Sequence, residues 1–286
     1  MKLLSFRIGG EATFGAVVDG RALDLKKSLN GKYADLLAAL QAGALVELEE
    51  AVSRGGLTYD LNEIEFLPVI PNPPKIICIG INYETHRSET GKDPSAKPWV
   101  FGRFANSQVG HGQPLIAPLE STRFDYEGEI AVIIGKRGRR ISQAASWEHI
   151  AGYAPYNDGS VRDWQRHTPQ WVPGKNFVGS GGFGPWMATR GEIADNAELH
   201  LSTRVNGREL QRATSHEMIQ SIPQIIEYCS TFTELEPGDV IVTGTPGGVG
   251  ARQEPPLFMK DGDIVEIEIA EIGVLRNPVK QEAPAA

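Results

Sequence analysis

"DYEGEIAVIIG", residues 125–135, sets two carboxylates, Glu127 and Glu129, one residue apart at the head of an apolar run. Read as a β-strand, the run sends both side chains out on one face, ~6.6 Å apart along the chain. Two like charges at that separation repel by roughly 2.5 kcal/mol at an effective dielectric near 20. Burial beside Ile130, Val132 and Ile134 raises the cost, because an unpaired buried charge is expensive. Solvent, basic partners or a bound cation could each relieve the repulsion, and the pair alone leaves all three open.

The neighbourhood of this strand is rich in others. "KIICIG", "LHLSTRVNG", "DVIVTG" and "DIVEIEIAEIG" follow the same apolar pattern, punctuated by Gly and Pro, while "SHEMIQSIPQIIEYCSTF" is the best helical candidate of the second half. Strands and helices do not alternate regularly, which argues against a doubly wound sheet. The expected class is α+β, mainly β, largely antiparallel, with peripheral helices. Ahead of the "PNPP" linker at 71–74, "LLSFRI" and "TFGAVVDGRALDL" read as strands and "KYADLLAALQAGALVELEEAVSRG" as one or two helices. This predicts a small N-terminal α/β subdomain over 1–70 and a second, larger domain over 71–286. Two Gly-rich stretches, "GSGGFG" at 179–184 and "GTPGGVGAR" at 244–252, lack the following helix or the Lys-Ser/Thr that phosphate cradles need, and read as tight turns.

With 286 residues the chain can bury a sizeable core without disulfides. A net charge of -8 argues against a nucleic-acid partner and against an anionic membrane surface. Cys78 and Cys229 do not form a disulfide framework, the N-terminus does not read as a secretory signal, and no apolar stretch reaches membrane-span length. These absences give the expectation of a cytoplasmic location.

A third acid follows in "AGYAPYNDGSVRDWQ". Asp158 stands before Gly159, a turn pairing by itself. As a third oxygen ligand beside Glu127 and Glu129, it would complete a hard, all-carboxylate site. Such a site suits Mg²⁺ or Mn²⁺, with Ca²⁺ possible, rather than zinc.

Together these motifs resemble the fumarylacetoacetate hydrolase superfamily. The resemblance rests on Glu127-x-Glu129, Asp158 in "NDGSVRDWQ", "GINYETHRSETG" at 80–91, "GKNF", "VNGRELQ" and "ELEPGDVIVTGTPGGVG", in order from about 75 to 279. It implies the family's mixed β-roll and a metal held by Glu127, Glu129 and Asp158. It also implies a homodimer.

His86 and Glu89 share a face if their segment is helical. From spacing alone they could be a surface ion pair; the resemblance implies a water-activating dyad. By the same resemblance Lys175 stabilises developing negative charge, while Arg162 and Gln165 contact the substrate's oxyacid head. Thr245 would offer a hydroxyl or backbone N–H to a carboxylate, or else simply sit in a turn before Pro246. One departure concerns "VFGRFANSQVG", where many relatives carry Lys-Pro after the Phe. Here Arg103 and Phe104 follow, and Arg103 is expected to supply a bidentate cation for the substrate carboxylate. Arg166, Trp164, His167 and Trp171 crowd one loop and are expected to shape specificity.

The implied reaction is metal-assisted hydrolysis of a C–C bond in an acylpyruvate, giving pyruvate and a carboxylic acid. Isomerisation or decarboxylation of 2-oxo or 2-hydroxydienoic diacids, oxaloacetate included, is the alternative, because one site geometry serves several outcomes.

Overall fold

Each residue from Gly128 to Ile134 is buried, and the strand they form is paired along both edges. In the computed structural model, which describes residues 1–91 and 93–284, this strand lies antiparallel to Ile150–Asn157 on one side and to Val240–Val242 on the other. Alternation along the strand feeds two separate cores. Ile130, Val132 and Ile134 pack with Leu201, Ile267 and Leu275, whereas Ala131 and Ile133 pack with Leu36, Leu40 and Leu48. Each Ile or Val withdrawn from water in this way contributes about 1.5–3 kcal/mol. The run after the acidic pair is therefore apolar throughout because both faces of the sheet are covered.

That sheet has 13 strands. The five-stranded sheet that covers one face runs in the order Arg208–Thr214, His200–Val205, Ile264–Ile269, Gly273–Gln281, Leu115–Ala117. The two sheets approach closely at Gly128, where a Cβ would stand 2.0 Å from Thr203 Oγ1. The glycine between the two glutamates is thus required by the sheet behind them. Helix Ile222–Phe232 adds to the same core; Ser221 and Gln224 cap it reciprocally, and Ile222, Ile225, Ile226 and Cys229 form its buried stripe.

The N-terminal strands Lys2–Ile8, Glu11–Val18, Arg21–Asp24 and Thr58–Asp60 continue the large sheet, joined to it by Lys2↔Ala188 and Leu3↔Met187. Helices Leu36–Gln41 and Leu45–Arg54 cover this end, the first capped by the Asp35 carboxylate accepting from Ala38 N at 2.7 Å. Residues 1–66 consequently share a sheet and an apolar cluster with the remainder.

The α+β, mainly β class expected from sequence is the one observed, while one local reading is corrected. "GSGGFG" is not merely a turn: Gly181–Phe183 is a strand, antiparallel to Tyr156–Asn157 and parallel to Gln108–Val109. Glycines there lie against the Asn277 and Gln108 side chains, and packing rather than turn geometry selects them.

Candidate active site

Strand register assembles the acidic site. Glu129 opposes Tyr156 and Gly128 opposes Asn157, so the next residues, Glu127 and Asp158, meet at the end of the ladder. Asp158 N donates to Glu127 O at 2.8 Å, and Asn157 Oδ1 accepts from Glu127 N at 3.0 Å. One carboxylate oxygen from each of Glu127, Glu129 and Asp158 falls within 4.8 Å of the others, all three residues buried.

Three cations are set against this cluster. Lys175 Nζ lies 2.6 Å from Glu127 Oε2 and 2.6 Å from Asp158 Oδ2. Arg162 donates from Nη1 to Glu127 Oε1 at 2.7 Å and from Nε to Asp125 Oδ2 at 2.7 Å. Arg103 is paired with Asp158 Oδ1. Among the described residues Glu129 has no cation within ion-pair distance and accepts only the Gly244 N–H, at 2.5 Å.

Electrostatics follow this division. Burial opposes ionisation of Glu127, but Arg162 and Lys175 overcome it and hold the carboxyl well below its ordinary range. Burial, with Asp158 and Glu127 adding to it, pushes Glu129 far above that range. Burial likewise works against the Lys175 ammonium, yet Asp158 and Glu127 keep it charged. Four buried carboxylates, with Asp125 included, thus face three cations. Every donor of the Glu127, Glu129 and Asp158 set is an oxygen, and each of those carboxylate oxygens keeps a second lone pair. Both properties fit a hard divalent ion.

The cluster opens into a cavity of about 670 Å³ lined also by His86, Lys175, Arg162 and Gln165. His86 and Glu89 both lie on helix Glu84–Thr90, which ends at Gly91 in the left-handed region. His86 Nδ1 is 3.5 Å from Glu89 Oε2, and neither atom has a hydrogen-bond partner among the described residues. Glu89 Oε1 instead accepts from Gly248 N at 2.7 Å, and Thr85 Oγ1 accepts from Gly247 N at 3.0 Å. The helix is thereby tied to the 244–252 loop. Gly248 sits at φ +101°, with Leu210 O 2.0 Å from where a Cβ would stand, so no side chain fits there. A wall of Trp99 stacked on Trp171 at 5.8 Å, with Phe101 edge-on, flanks the cavity.

Two residues expected to contact substrate, Arg103 and Thr245, have their polar atoms engaged within the protein. Arg103 does not face the cavity: Nη1 also donates to Gly159 O at 2.9 Å, Nη2 to Ser180 Oγ at 2.8 Å and Nε to Ser107 Oγ at 3.3 Å. Its fork is spent behind Asp158, where it offsets the burial of that ligand. Thr245 lines the cavity, but its hydroxyl donates to Gly128 O at 2.9 Å and accepts from Gln211 Nε2 at 2.8 Å. That hydroxyl is occupied in holding the 244–252 loop to the acidic strand. Arg162 is largely engaged too, with Gln165 Oε1 accepting from Nη1 at 3.1 Å, and only Nη2 lacks a partner.

Asp125 was missed by the sequence reading. Its Oδ1 accepts from Gly250 N at 2.8 Å, and its Oδ2 from Ala251 N at 2.9 Å as well as from Arg162. The period-two spacing of Asp125, Glu127 and Glu129 was the available signal. Arg252, at the end of the second Gly-rich stretch, also lines the cavity and carried no signal of its own.

The family model for the fumarylacetoacetate hydrolase C-terminal domain matches residues 75–280. The chain belongs to the fumarylacetoacetate hydrolase family. It is 38% identical over 276 residues to a protein of Xenopus laevis named a mitochondrial oxaloacetate tautomerase, covering 96% of this chain and 86% of that one. Among solved structures, the fumarylacetoacetate hydrolase of Exiguobacterium antarcticum superposes with a TM-score of 0.87 at 32% identity, covering 99% of this chain and all of the other. Maleylpyruvate hydrolase from Sphingobium sp. SYK-6, in complex with manganese(II) and pyruvate, superposes with a TM-score of 0.82 at 26% identity, again over 99% and 100% of the two chains. Family membership makes the chain a member of an enzyme family rather than a non-catalytic scaffold. The expectation of a cytoplasmic location is corrected by the Xenopus relative, which is named mitochondrial. Cysteine usage, and the absence among the described residues of a helix long and apolar enough to cross a membrane, carry no information on compartment.

Proposed function

We propose that this chain is a divalent-metal-dependent isomerase of short 2-oxo diacids of the oxaloacetate type, interconverting enol and keto forms by moving a proton between the 2-oxygen and C3. The observation that carries this reading is the 38% identity, over nearly the whole chain, to a protein named an oxaloacetate tautomerase. The site chemistry supports it. A divalent ion, Mg²⁺ or Mn²⁺, held by Glu127, Glu129 and Asp158 would supply Lewis-acid polarisation of the 2-oxygen. Lys175, kept as an ammonium by Asp158 and Glu127, stabilises negative charge developing on that oxygen. His86, facing the same cavity and backed by Glu89, gives a proton to C3 or takes it away. Arg162 and Gln165 orient the substrate head through the unpartnered Nη2 and the Gln165 amide.

Hydrolysis of an acylpyruvate, the first expectation, becomes the second reading. It is favoured by the His86–Glu89 pair, which could equally activate a water, and by the likeness to maleylpyruvate hydrolase. The test is to follow decay of the enol form of oxaloacetate by its ultraviolet absorbance with Mn²⁺- and Mg²⁺-loaded protein. Acetylpyruvate cleavage and CO₂ release are assayed in parallel. Accelerated enol decay without pyruvate or CO₂ supports the isomerase. Acetylpyruvate cleavage with no effect on the enol overturns it.

A second copy of the chain is the partner we propose, with no nucleic acid or membrane. Exposed Phe104 and Val178 support this, on loops joined by Asn176 Oδ1 accepting from Phe104 N. Sedimentation of a monomeric species at micromolar concentration would contradict it.

A further inference from the structure

The cavity holds more positive charge than the acidic cluster uses. Arg166 caps the C-terminus of the short helix Arg162–Gln165, and Arg252 ends the turn Gly250–Arg252; both line the same cavity as Glu127, Glu129 and Asp158. Exposed arginines elsewhere, such as Arg7, Arg137, Arg190 and Arg212, are paired with glutamate or aspartate. Among the described residues, neither Arg166 nor Arg252 has a carboxylate within ion-pair distance. Instead they face like charge. Partial burial and then Arg162, Arg252 and Arg123 all disfavour the Arg166 cation. Cations gathered without counterions at the mouth of a cavity form a receptor for an anion.

Their position is fixed to the metal ligands by one buried side chain. Asp125 holds Gly250 N and Ala251 N, the residues leading into Arg252, and with its other contact holds Arg162, which in turn holds Glu127. Arg166 follows the helix Arg162–Gln165 directly, as its C-cap. The backbone leading into Arg252 and the Arg162 side chain are thus tied to the acidic cluster through Asp125.

We propose that Arg166 and Arg252 bind the distal carboxylate of the substrate and select short dicarboxylic acids over monocarboxylic acids with the same 2-oxo or 2-hydroxy head. This rests on the 2-oxo acid reading for the head group, but the selection is separable from the reaction. Neither residue touches the reacting atoms; both are specificity determinants, and Asp125 is the positioning residue that places Arg252.

Binding of malate and lactate to the Mn²⁺-loaded chain by calorimetry tests this without turnover. The two ligands share a 2-hydroxycarboxylate head, and malate alone adds a distal carboxylate. Wild-type protein should bind malate at least about tenfold more tightly than lactate. Arg166→Ala with Arg252→Ala should remove that preference while changing lactate affinity less than about threefold, and Arg252→Lys should retain part of it. A wild type that does not distinguish the ligands, or a double variant that keeps the preference, overturns the proposal. Loss of the preference in a protein that leaves enol oxaloacetate unchanged would sink the isomerase reading and uphold this one.

Discussion

His86 Nδ1 stands 3.5 Å from Glu89 Oε2, with no hydrogen bond to either atom among the described residues, while the other oxygen of Glu89 accepts from Gly248 N. Glu89 thus faces two ways, toward the His86 ring and toward the loop that walls the cavity. Glu89→Gln keeps an oxygen for Gly248 and removes the charge behind the ring. It should lower kcat by about tenfold, and His86→Ala by about 10²–10⁴-fold, with little change in melting temperature. Equal kcat in wild type and both variants would remove His86 from the reaction.

Arg103 offers a sharper contrast. Its fork is consumed by Asp158, Gly159, Ser180 and Ser107, all buried. Arg103→Ala would leave Asp158 buried with Lys175 as its one remaining cation among the described residues, and should destabilise the metal-free chain by about 3 kcal/mol in urea unfolding. Saturating Mn²⁺ should recover part of that loss, because the ion supplies the missing positive charge. A variant as stable as wild type without metal would restore the substrate-binding role expected from the sequence.

Glu129 makes metal uptake a proton exchange. Burial first, then Asp158 and Glu127, raise its carboxyl well above the ordinary value of 4.5. A raised carboxyl contributes stability that is complete below about pH 4.5 and is lost as pH rises through the folded value. A bound divalent ion requires the charged form, so Mn²⁺ affinity should rise with pH and uptake should release a proton. Calorimetry in two buffers of different ionisation enthalpy measures this directly. No proton release at any pH between 5 and 8 would show Glu129 already charged.

Thr245→Val tests whether this hydroxyl serves structure or substrate. The variant removes the hydroxyl's bonds to Gly128 O and to Gln211 Nε2, both buried, while Gln211 Nε2 keeps Pro246 O, and should cost about 1–3 kcal/mol of stability. Its KM for oxaloacetate should change less than its unfolding midpoint does. Unchanged stability with a raised KM would mean the hydroxyl contacts substrate.

Much of the site was legible because it obeys strand periodicity. Glu127 and Glu129 alternate ahead of an apolar run, and that run is apolar on both faces because two cores cover it. His86 and Glu89 were readable as one helix face, and the helix is there. Roles that depend on what lies behind a residue were not legible. Arg103 reaches Asp158 only through the paired Trp99–Arg103 and Ile76–Gly80 strands, and nothing local in "VFGRF" shows which way its fork turns. Asp125 looked like a flanking residue because its four donors come from distant or backbone positions. The compartment was misread for a different reason: composition constrains solubility, not address.

Glu127, Glu129 and Asp158 are buried and bring one carboxylate oxygen each within 4.8 Å of the others, a convergence that fits one divalent ion. Isothermal titration of Mn²⁺ into the wild type and into Glu127→Ala, Glu129→Ala and Asp158→Ala measures that convergence most directly. Each variant is predicted to lose at least about tenfold in affinity, or 1.4 kcal/mol. Wild-type affinity in all three would contradict the account.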